Sequence, residues 1–112
     1  MATIAKKIIP GTQLPTSASA QYTTPANTRT LIKKLTFTNT TTNARLVTLY
    51  LVSSGGSAGS SSMLSYEKTL APKETWEAYE AEGHILEPGD SIQAFSDAAA
   101  SVTVHGSGIE LV

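Results

Sequence analysis

Apolar and polar residues alternate along much of the chain, which is the pattern of β-strands that bury one face. The run from Thr28 to Thr40 shows this alternation, and we expect Leu31, Leu35 and Phe37 to share one face. The run from Ala44 to Ser53 is more continuously apolar. Such a run is typical of a strand with both faces covered, so we predict that it lies at the centre of a sheet, where a neighbouring subunit is one candidate cover.

The other predicted strands are short, and a loop and a bulge are expected among them. The strands cover 17–24, 63–70, 75–80, 84–86, 91–96 and 101–112. The stretch Ser53–Ser62 is rich in Gly and Ser and offers no large apolar side chain to a core, so we predict a flexible loop there. Gly106 and Gly108 in the last run indicate a β-bulge or a close approach of two backbones.

Proline-led turns separate several of these runs. The segments Leu70–Trp76 and Leu86–Ile92 nearly repeat each other, and Pro25–Leu31 is a looser copy. Proline sets φ at the first corner of a turn, and a polar side chain that follows it can hydrogen-bond to the local backbone. About eight short strands with such turns predict an all-β fold, an antiparallel β-sandwich of either jelly-roll or immunoglobulin-like topology.

We expect one folded domain. The chain has 112 residues, of which 40% are hydrophobic, and this is enough material for one core. Residues 1–16 are interrupted by Pro10 and Pro15, so we predict an extended N-terminal arm over 1–16 and a single β-sandwich domain over 17–112. Formation of a short edge strand by Ile8, Ile9 and Leu14 of the arm is the alternative left open.

Composition limits the kinds of site and the cellular compartment that we expect for this protein. The chain has no cysteine, which excludes disulfides and thiolate metal sites. Only Ile8 and Ile9 stand between Lys7 and Pro10, which is too short for the apolar region of a signal peptide. No apolar stretch approaches the ~18 residues of a membrane helix. We therefore expect a soluble protein that is made in the cytoplasm and has no membrane partner.

Charge is distributed unevenly, although the net charge is only −1. Six basic residues and no acidic residue precede Glu67, whereas nine acidic residues and two lysines occupy the chain from Glu67 onward. Two explanations are open. Basic and acidic strands pair within one fold, or the molecule presents surfaces of opposite sign to its own copies or to a partner. Nucleic-acid binding is not expected, because domains that grip phosphates are usually basic overall.

Residue types that carry catalysis are present, but they do not converge in the sequence. His84 and His105 fall on different predicted strands, without the paired histidines of a cupin-like metal site. No serine stands in a Gly-x-Ser-x-Gly elbow. Glu77 and Glu80 differ in strand parity and are expected on opposite faces, which argues against a carboxylate pair for glycoside cleavage. We predict a protein that is not an enzyme and has no catalytic, cofactor or metal site.

Two groups of residues are candidates for binding. The first is a protein-contact set from the arm, the central strand and the Gly/Ser loop: Ile4, Ile8, Ile9, Leu14, Tyr50, Ser54, Gly55 and Gly56. The second is a glycan platform formed by Trp76 and Tyr79, since aromatic rings combine a large apolar face with polar edges. Packing in the core or at a sheet edge is the alternative role of Trp76.

Several stretches resemble small all-β virion proteins of tailed bacteriophages and prophages. They are Ile9–Thr12, Tyr22–Arg29, Leu35–Thr40, Val47–Val52, Thr69–Thr75 and Ile85–Ala94, together with the Gly/Ser loop. The likeness lies in the turns and the overall plan, and it covers about residues 8–112. It implies a capsid decoration or cement protein, or a tail or fibre accessory module.

The expected function follows from this resemblance and from the composition. It is that of a non-enzymatic virion structural protein, a capsid decoration or cement protein that stabilises the head by binding across capsid subunits. The expected partners are the major capsid protein or other virion proteins, and further copies of the chain in a trimer or dimer. The alternatives are a tail, baseplate or fibre accessory module and a carbohydrate-binding β-sandwich.

Overall fold

Strands make up the regular structure of the chain, in two antiparallel sheets that pack against each other. The computed structural model describes residues 2–112, in which no helix occurs. The strands in chain order are β1 (Thr3–Gln13), β2 (Ser19–Thr23), β3 (Arg29–Asn39), β4 (Arg45–Val52), β5 (Met63–Leu70), β6 (Thr75–Glu77), β7 (Ile85–Leu86), β8 (Ser91–Ser96) and β9 (Val102–Leu111). The predicted all-β antiparallel sandwich is confirmed.

Strands that are neighbours in the chain are often in different sheets. Sheet I has the order β1-β9-β3-β6, and β7 pairs with a second part of β3. Sheet II has the order β2-β8-β4-β5. Because β9 occupies the other edge of β3, the short strands β6 and β7 share one edge of it, β6 at Thr36–Thr38 and β7 at Thr30–Leu31.

The segment predicted as an N-terminal arm is strand β1 of sheet I. It pairs antiparallel with β9 over its whole length. Ile8, Ile9 and Leu14 from this segment are buried in the core. Burying such side chains stabilises a fold by about 1.5–3 kcal/mol each. Residues 1–16 are therefore not an arm separate from the sandwich, and a truncation through Pro15 would remove an edge strand and part of the core.

β-bulges interrupt the pairing on both sides of β9, and β1 has a further irregularity between Ile9 and Thr12. Ile8 is the extra residue in β1, and Lys33 is the extra residue in β3. A bulge shifts the alternation of side chains by one residue. As a result Leu35 and Phe37 face the core, whereas Leu31 is half-buried on the outer face. The expectation that Leu31 shares a face with Leu35 and Phe37 is wrong for this reason.

Two glycines of β9 lie beside the bulges, where side chains would not fit. A Cβ at Gly108 would lie 2.6 Å from the carbonyl oxygen of Leu31. A Cβ at Gly106 would come within 3.3 Å of the Ile9 and Leu35 side chains. The close approach of two backbones predicted for these glycines is confirmed at Gly108, whereas Gly106 packs against side chains.

The core fills the space between the two sheets. The rings of Phe37 in β3 and Trp76 in β6 stack with their centroids 5.1 Å apart. Other fully buried core side chains are Ile9, Leu14, Ile32, Leu35, Val47, Leu49, Leu70, Ile92, Val102 and Val104. Both sheets contribute to this set, so the interior is one continuous cluster.

Strand β4 lies in the middle of sheet II with both faces covered, as the apolar run predicts. Val47 and Leu49 face the core. On the outer face Thr48 and Tyr50 are also buried. The Tyr50 ring lies beside the Phe95 ring of β8, with 6.3 Å between centroids. The cover of this face comes from the same chain and needs no neighbouring subunit.

The two near-repeat segments form the same kind of turn. In each, the residue after proline has a positive φ, which is the arrangement of a type II turn. An acidic side chain then accepts a hydrogen bond from the N–H of the residue before proline. Glu74 accepts from Ala71 at 2.6 Å, and Asp90 accepts from Glu87 at 2.9 Å. The polar side-chain closure predicted for these turns is confirmed.

Candidate functional site

Half of the residues expected at a protein interface are buried in the folded chain. The buried ones are Ile8, Ile9, Leu14 and Tyr50. Pairing of β1 with β9 buries the first three, and the Phe95 ring covers Tyr50, which is 9% exposed. These residues are therefore not a contact surface of the folded chain. Ile4, near the start of β1, remains 45% exposed.

The predicted contact residues of the Gly/Ser loop are exposed: Ser54, Gly55 and Gly56. The start of the loop is nevertheless held in place. The N–H of Ser54 donates to Oδ1 of Asp90 at 2.9 Å, and the N–H of Gly56 donates to the Ser53 carbonyl at 2.9 Å. The Ser54 side chain also contacts Gly89, where a Cβ would collide with it. The loop is thus tied at its beginning to the turn between β7 and β8.

Trp76 is a core residue rather than an open sugar platform. One face of its ring stacks on Phe37, and the Lys68 ammonium lies 5.8 Å from the ring centroid. Only 8% of Trp76 is exposed. Tyr79, the other member of the expected platform, is 71% exposed. The structure therefore leaves Tyr79 as the accessible aromatic ring of the pair.

An open cleft of about 660 Å³ runs along β6. Its chemically distinctive lining residues are Lys34, Lys68, Glu74, Trp76, Glu77, Tyr79 and Glu80. Glu77 and Glu80 line this same cleft, so the expectation that they lie on opposite faces is wrong. Strand β6 ends at Glu77, and Glu80 belongs to the following turn, where strand alternation does not apply.

The outer face of sheet I carries an apolar row that crosses four strands. Ala5 of β1, Ile109 of β9, Leu31 of β3 and Ile85 of β7 are successive partners in register. Partners in antiparallel strands have Cβ atoms about 4.5–5.5 Å apart, so these side chains form a continuous strip. Ile85 is 60% exposed, Ala5 is exposed, and Leu31 and Ile109 are half-buried. We call these four residues the apolar row.

A basic row lies next to the apolar row on the same face. Lys7 of β1 and Lys34 of β3 are both register partners of Ser107 in β9. Lys33, the bulge residue, is exposed beside Lys34. Within residues 2–112, Lys7 and Lys33 form no ion pair, and Lys34 Nζ lies 3.7 Å from Glu77 Oε2. We call Lys7, Lys33 and Lys34 the basic row.

Sequence reasoning missed the apolar row for two reasons. Its members come from four strands whose order is not visible in the sequence, and the bulge at Lys33 moves Leu31 from the expected core face to the outer face. One signal was available. The adjacent Lys33 and Lys34 break the alternation of β3, and a pair of charged residues in a strand is a place to expect a bulge.

Ion pairs within the fold neutralise part of the unevenly distributed charge. Within residues 2–112, three pairs join a base from the first part of the chain to an acid from the second. They are Lys6–Glu110 (3.3 Å), Arg29–Glu87 (2.8 Å) and Lys34–Glu77 (3.7 Å). Internal pairing therefore accounts for half of the basic residues that precede Glu67, and the basic row keeps two unpaired lysines on one face.

A polar cluster joins the two sheets at one end of the interior. The Tyr22 hydroxyl of β2 donates to Oε2 of Glu110 in β9 at 2.6 Å, and the Thr30 hydroxyl of β3 lies 2.7 Å from the Tyr22 oxygen. Lys6 Nζ of β1 lies 3.3 Å from the same carboxylate. Burial, followed by the hydrogen bond to Glu110, raises the pKa of Tyr22 to about 12. Each polar group is hydrogen-bonded or ion-paired to another member of the cluster, so the cluster is a structural part of the interior.

The histidines lie on different parts of the molecule. His105 is on the outer face of sheet I beside Gly11, and His84 precedes β7. Residues 2–112 contain no group of three or more His, Asp or Glu side chains placed to hold a metal ion. The described part of the chain also has no helix with the length and hydropathy of a membrane span.

The chain matches no protein-family model, no curated protein and no solved structure. Its function is therefore inferred from the fold and from the two surfaces described above, the outer face of sheet I and the cleft along β6.

Proposed function

We propose that this protein is a non-enzymatic structural protein of a tailed-phage virion, and that it acts as a capsid decoration or cement protein. It is made in the host cytoplasm and then binds the assembled head across the boundaries between capsid subunits. The observation that carries the proposal is the strand order of the two sheets. The resemblance of stretches such as Tyr22–Arg29 and Ile85–Ala94 to small phage virion proteins points the same way.

The strand order favours a jelly roll over an immunoglobulin-like sandwich. In the immunoglobulin plan the first two strands belong to one sheet. Here β1 to β4 alternate between sheet I and sheet II, and β6, β8 and β9 continue the alternation after β5. With β6 and β7 counted as one position on the edge of β3, each sheet has four positions. Eight strands in two sheets of this kind support a jelly roll, an architecture used by viral capsid and lectin domains.

A cement protein acts by adhesion. It buries surface on more than one capsid subunit, so separating the subunits also requires breaking its contacts. Binding at several points at once raises the overall affinity without strengthening any single contact. A trimer of the chain suits a local three-fold axis of the capsid, and a dimer suits a two-fold axis.

The test uses heads from the encoding phage or prophage, isolated from cells in which this gene is deleted. The purified chain is added, and its attachment is measured by co-sedimentation with the heads. We expect saturable attachment and heads that resist heat or chelator better than undecorated ones. Attachment to isolated tails instead of heads would favour the tail, baseplate or fibre module. Absence of attachment to both would contradict a virion role.

Carbohydrate binding is a second candidate, favoured by the cleft along β6. Tyr79 is 71% exposed at this cleft, where carboxylates and lysines offer hydrogen bonds to hydroxyl groups. Trp76 lines the same cleft and serves as a fluorescent reporter. This candidate predicts that a panel of bacterial surface glycans changes Trp76 fluorescence and that Tyr79→Ala removes the change. Unchanged fluorescence across the panel would count against it.

A further inference from the structure

We propose that the outer face of sheet I is the surface by which this protein docks, and that the partner is a protein surface with an apolar strip beside a line of carboxylates. The inference rests on the proposed function, which supplies the phage head as the target. It adds which face of the molecule makes the contact and what chemistry the head must present.

The apolar row provides exposed apolar surface that such a contact can bury. Its outermost members, Ala5 and Ile85, are both exposed, so water reaches the row from both ends. Strands in a sheet lie about 4.7–4.9 Å apart, and the row therefore extends for roughly 14 Å. Exposed apolar patches rimmed by polar residues are characteristic of protein-binding surfaces.

The basic row determines the sign of the partner. Strands β1 and β3 contain no acidic residue, and the only acid of β9 is Glu110, which is buried inside. Lys7 and Lys33 form no ion pair within residues 2–112. The part of this face over β1, β9 and β3 is therefore cationic next to the apolar row, and it is bordered by Glu77 of β6, which pairs with Lys34. Complementary charge steers association and disfavours partners of the same sign.

The spacing of the two rows argues for a protein as the occupant. Ile109 of the apolar row and Ser107, the neighbour of Lys7 and Lys34, are two residues apart on β9. Two residues of a strand span about 7 Å. A fixed apolar strip with charges at that distance to one side matches an ordered protein surface better than a fluid lipid surface.

The experiment compares variants of this face with matched variants elsewhere, using the same gene-deleted heads. Ile85→Glu places a carboxylate in the apolar row, and Lys7→Glu with Lys33→Glu reverses the basic row without touching the core. The controls are Tyr66→Glu, 66% exposed on β5, and Lys73→Glu in an exposed turn. We expect both sheet I variants to weaken attachment about tenfold or more and both controls to change it less than about twofold.

Folding of each variant is checked by circular dichroism and thermal unfolding, and the double lysine variant keeps the test valid if Ile85→Glu does not fold. If the wild type attaches to the heads and the sheet I variants attach equally well, this inference is overturned and the proposed function is not. Failure of the wild type to attach would overturn the proposed function and this inference with it.

Two parallel measurements address other occupants. Sedimentation with vesicles of phosphatidylcholine and phosphatidylglycerol in equal parts tests a lipid surface, and light scattering across a range of concentrations tests self-association. Vesicle binding or self-association that is lost in the sheet I variants, while head attachment is retained, would assign the face to that occupant and overturn the inference. Loss of head attachment alone would support it.

Discussion

At one end of the space between the sheets, Phe37 and Trp76 stack with their centroids 5.1 Å apart. At the other end, Tyr22, Thr30 and Glu110 form a hydrogen-bonded cluster. Thr30 and Phe37 are on the same strand, and the seven steps along the strand from one to the other span about 23 Å. The interior therefore has an aromatic stack within sheet I at one end and a polar cluster that joins the two sheets at the other.

The two ends are therefore expected to respond to different perturbations. The aromatic end depends on volume and buried area, so it is sensitive to truncation and insensitive to pH. The polar end depends on complete pairing of the Glu110 carboxylate, since an unpaired buried polar group costs more than a hydrogen bond contributes. It is therefore sensitive to the loss of one hydroxyl group or one proton.

The largest expected effect is at the aromatic end. Trp76→Ala removes the ring that stacks on Phe37 and leaves a cavity, which we expect to destabilise the fold by about 3–5 kcal/mol. Urea unfolding followed by circular dichroism measures the change. Tyr79→Ala, which truncates an exposed ring three residues further along the chain, is the control and should stay within about 0.5 kcal/mol. A loss below about 1 kcal/mol for Trp76→Ala would show that the stack is not a main support.

A smaller loss is expected at the polar end. Tyr22→Phe keeps the ring but removes the hydroxyl that donates to Glu110, and hydrogen bonds to charged groups contribute about 1.5–3 kcal/mol. Tyr66→Phe, which removes an exposed hydroxyl from β5, is the matched control and should have little effect. Equal stability of Tyr22→Phe and wild type in urea unfolding would mean that the cluster does not hold the sheets together.

The pH dependence separates the two ends further. The pKa of Tyr22 is raised from 10.0 to about 12 in the folded state, because burial and the Glu110 carboxylate disfavour the phenolate. The contribution is fully present below pH 10 and is lost as the pH rises towards 12, since the unfolded state ionises first. We expect the stability gap between wild type and Tyr22→Phe to narrow between pH 10 and pH 12. A gap that stays constant across this range would contradict the assignment.

The smallest expected effect comes from the exposed pair near the polar end. Arg29 and Glu87 are both mostly exposed, and such pairs contribute about 0–1 kcal/mol at low salt. Arg29→Met should therefore lower stability slightly, and the difference should vanish in high salt because the charges are screened. A salt-independent loss would indicate that the Arg29 side chain acts through packing instead.

Much of the fold was predictable because its signals are local. The turns closed by Glu74 and Asp90 follow from residues three positions apart. The central place of β4 follows from its continuous apolar run, and the need for Gly106 and Gly108 follows from glycine in a strand. These features depend on neighbouring residues and so can be recognised without knowing the rest of the structure.

The candidate site was less predictable, and the errors have physical causes. The contact role of Ile8, Ile9 and Leu14 assumed a free arm, whereas pairing with β9 buries them. Trp76 and Tyr79 were paired as a platform because both are aromatic, but Trp76 packs in the core and only the Tyr79 ring is accessible. In both cases a contact distant in the chain decided which side chain reaches solvent.

Short antiparallel strands with proline-led turns in a two-sheet sandwich could be predicted from the order of residues alone, because alternation and turn chemistry are properties of adjacent residues. The folded structure was needed to show that β1 joins sheet I, that Lys33 shifts Leu31 to the outer face, and that four strands assemble the apolar row beside three lysines. Strand order and bulge position depend on packing between residues far apart in the chain, where the sequence pattern alone carries no register.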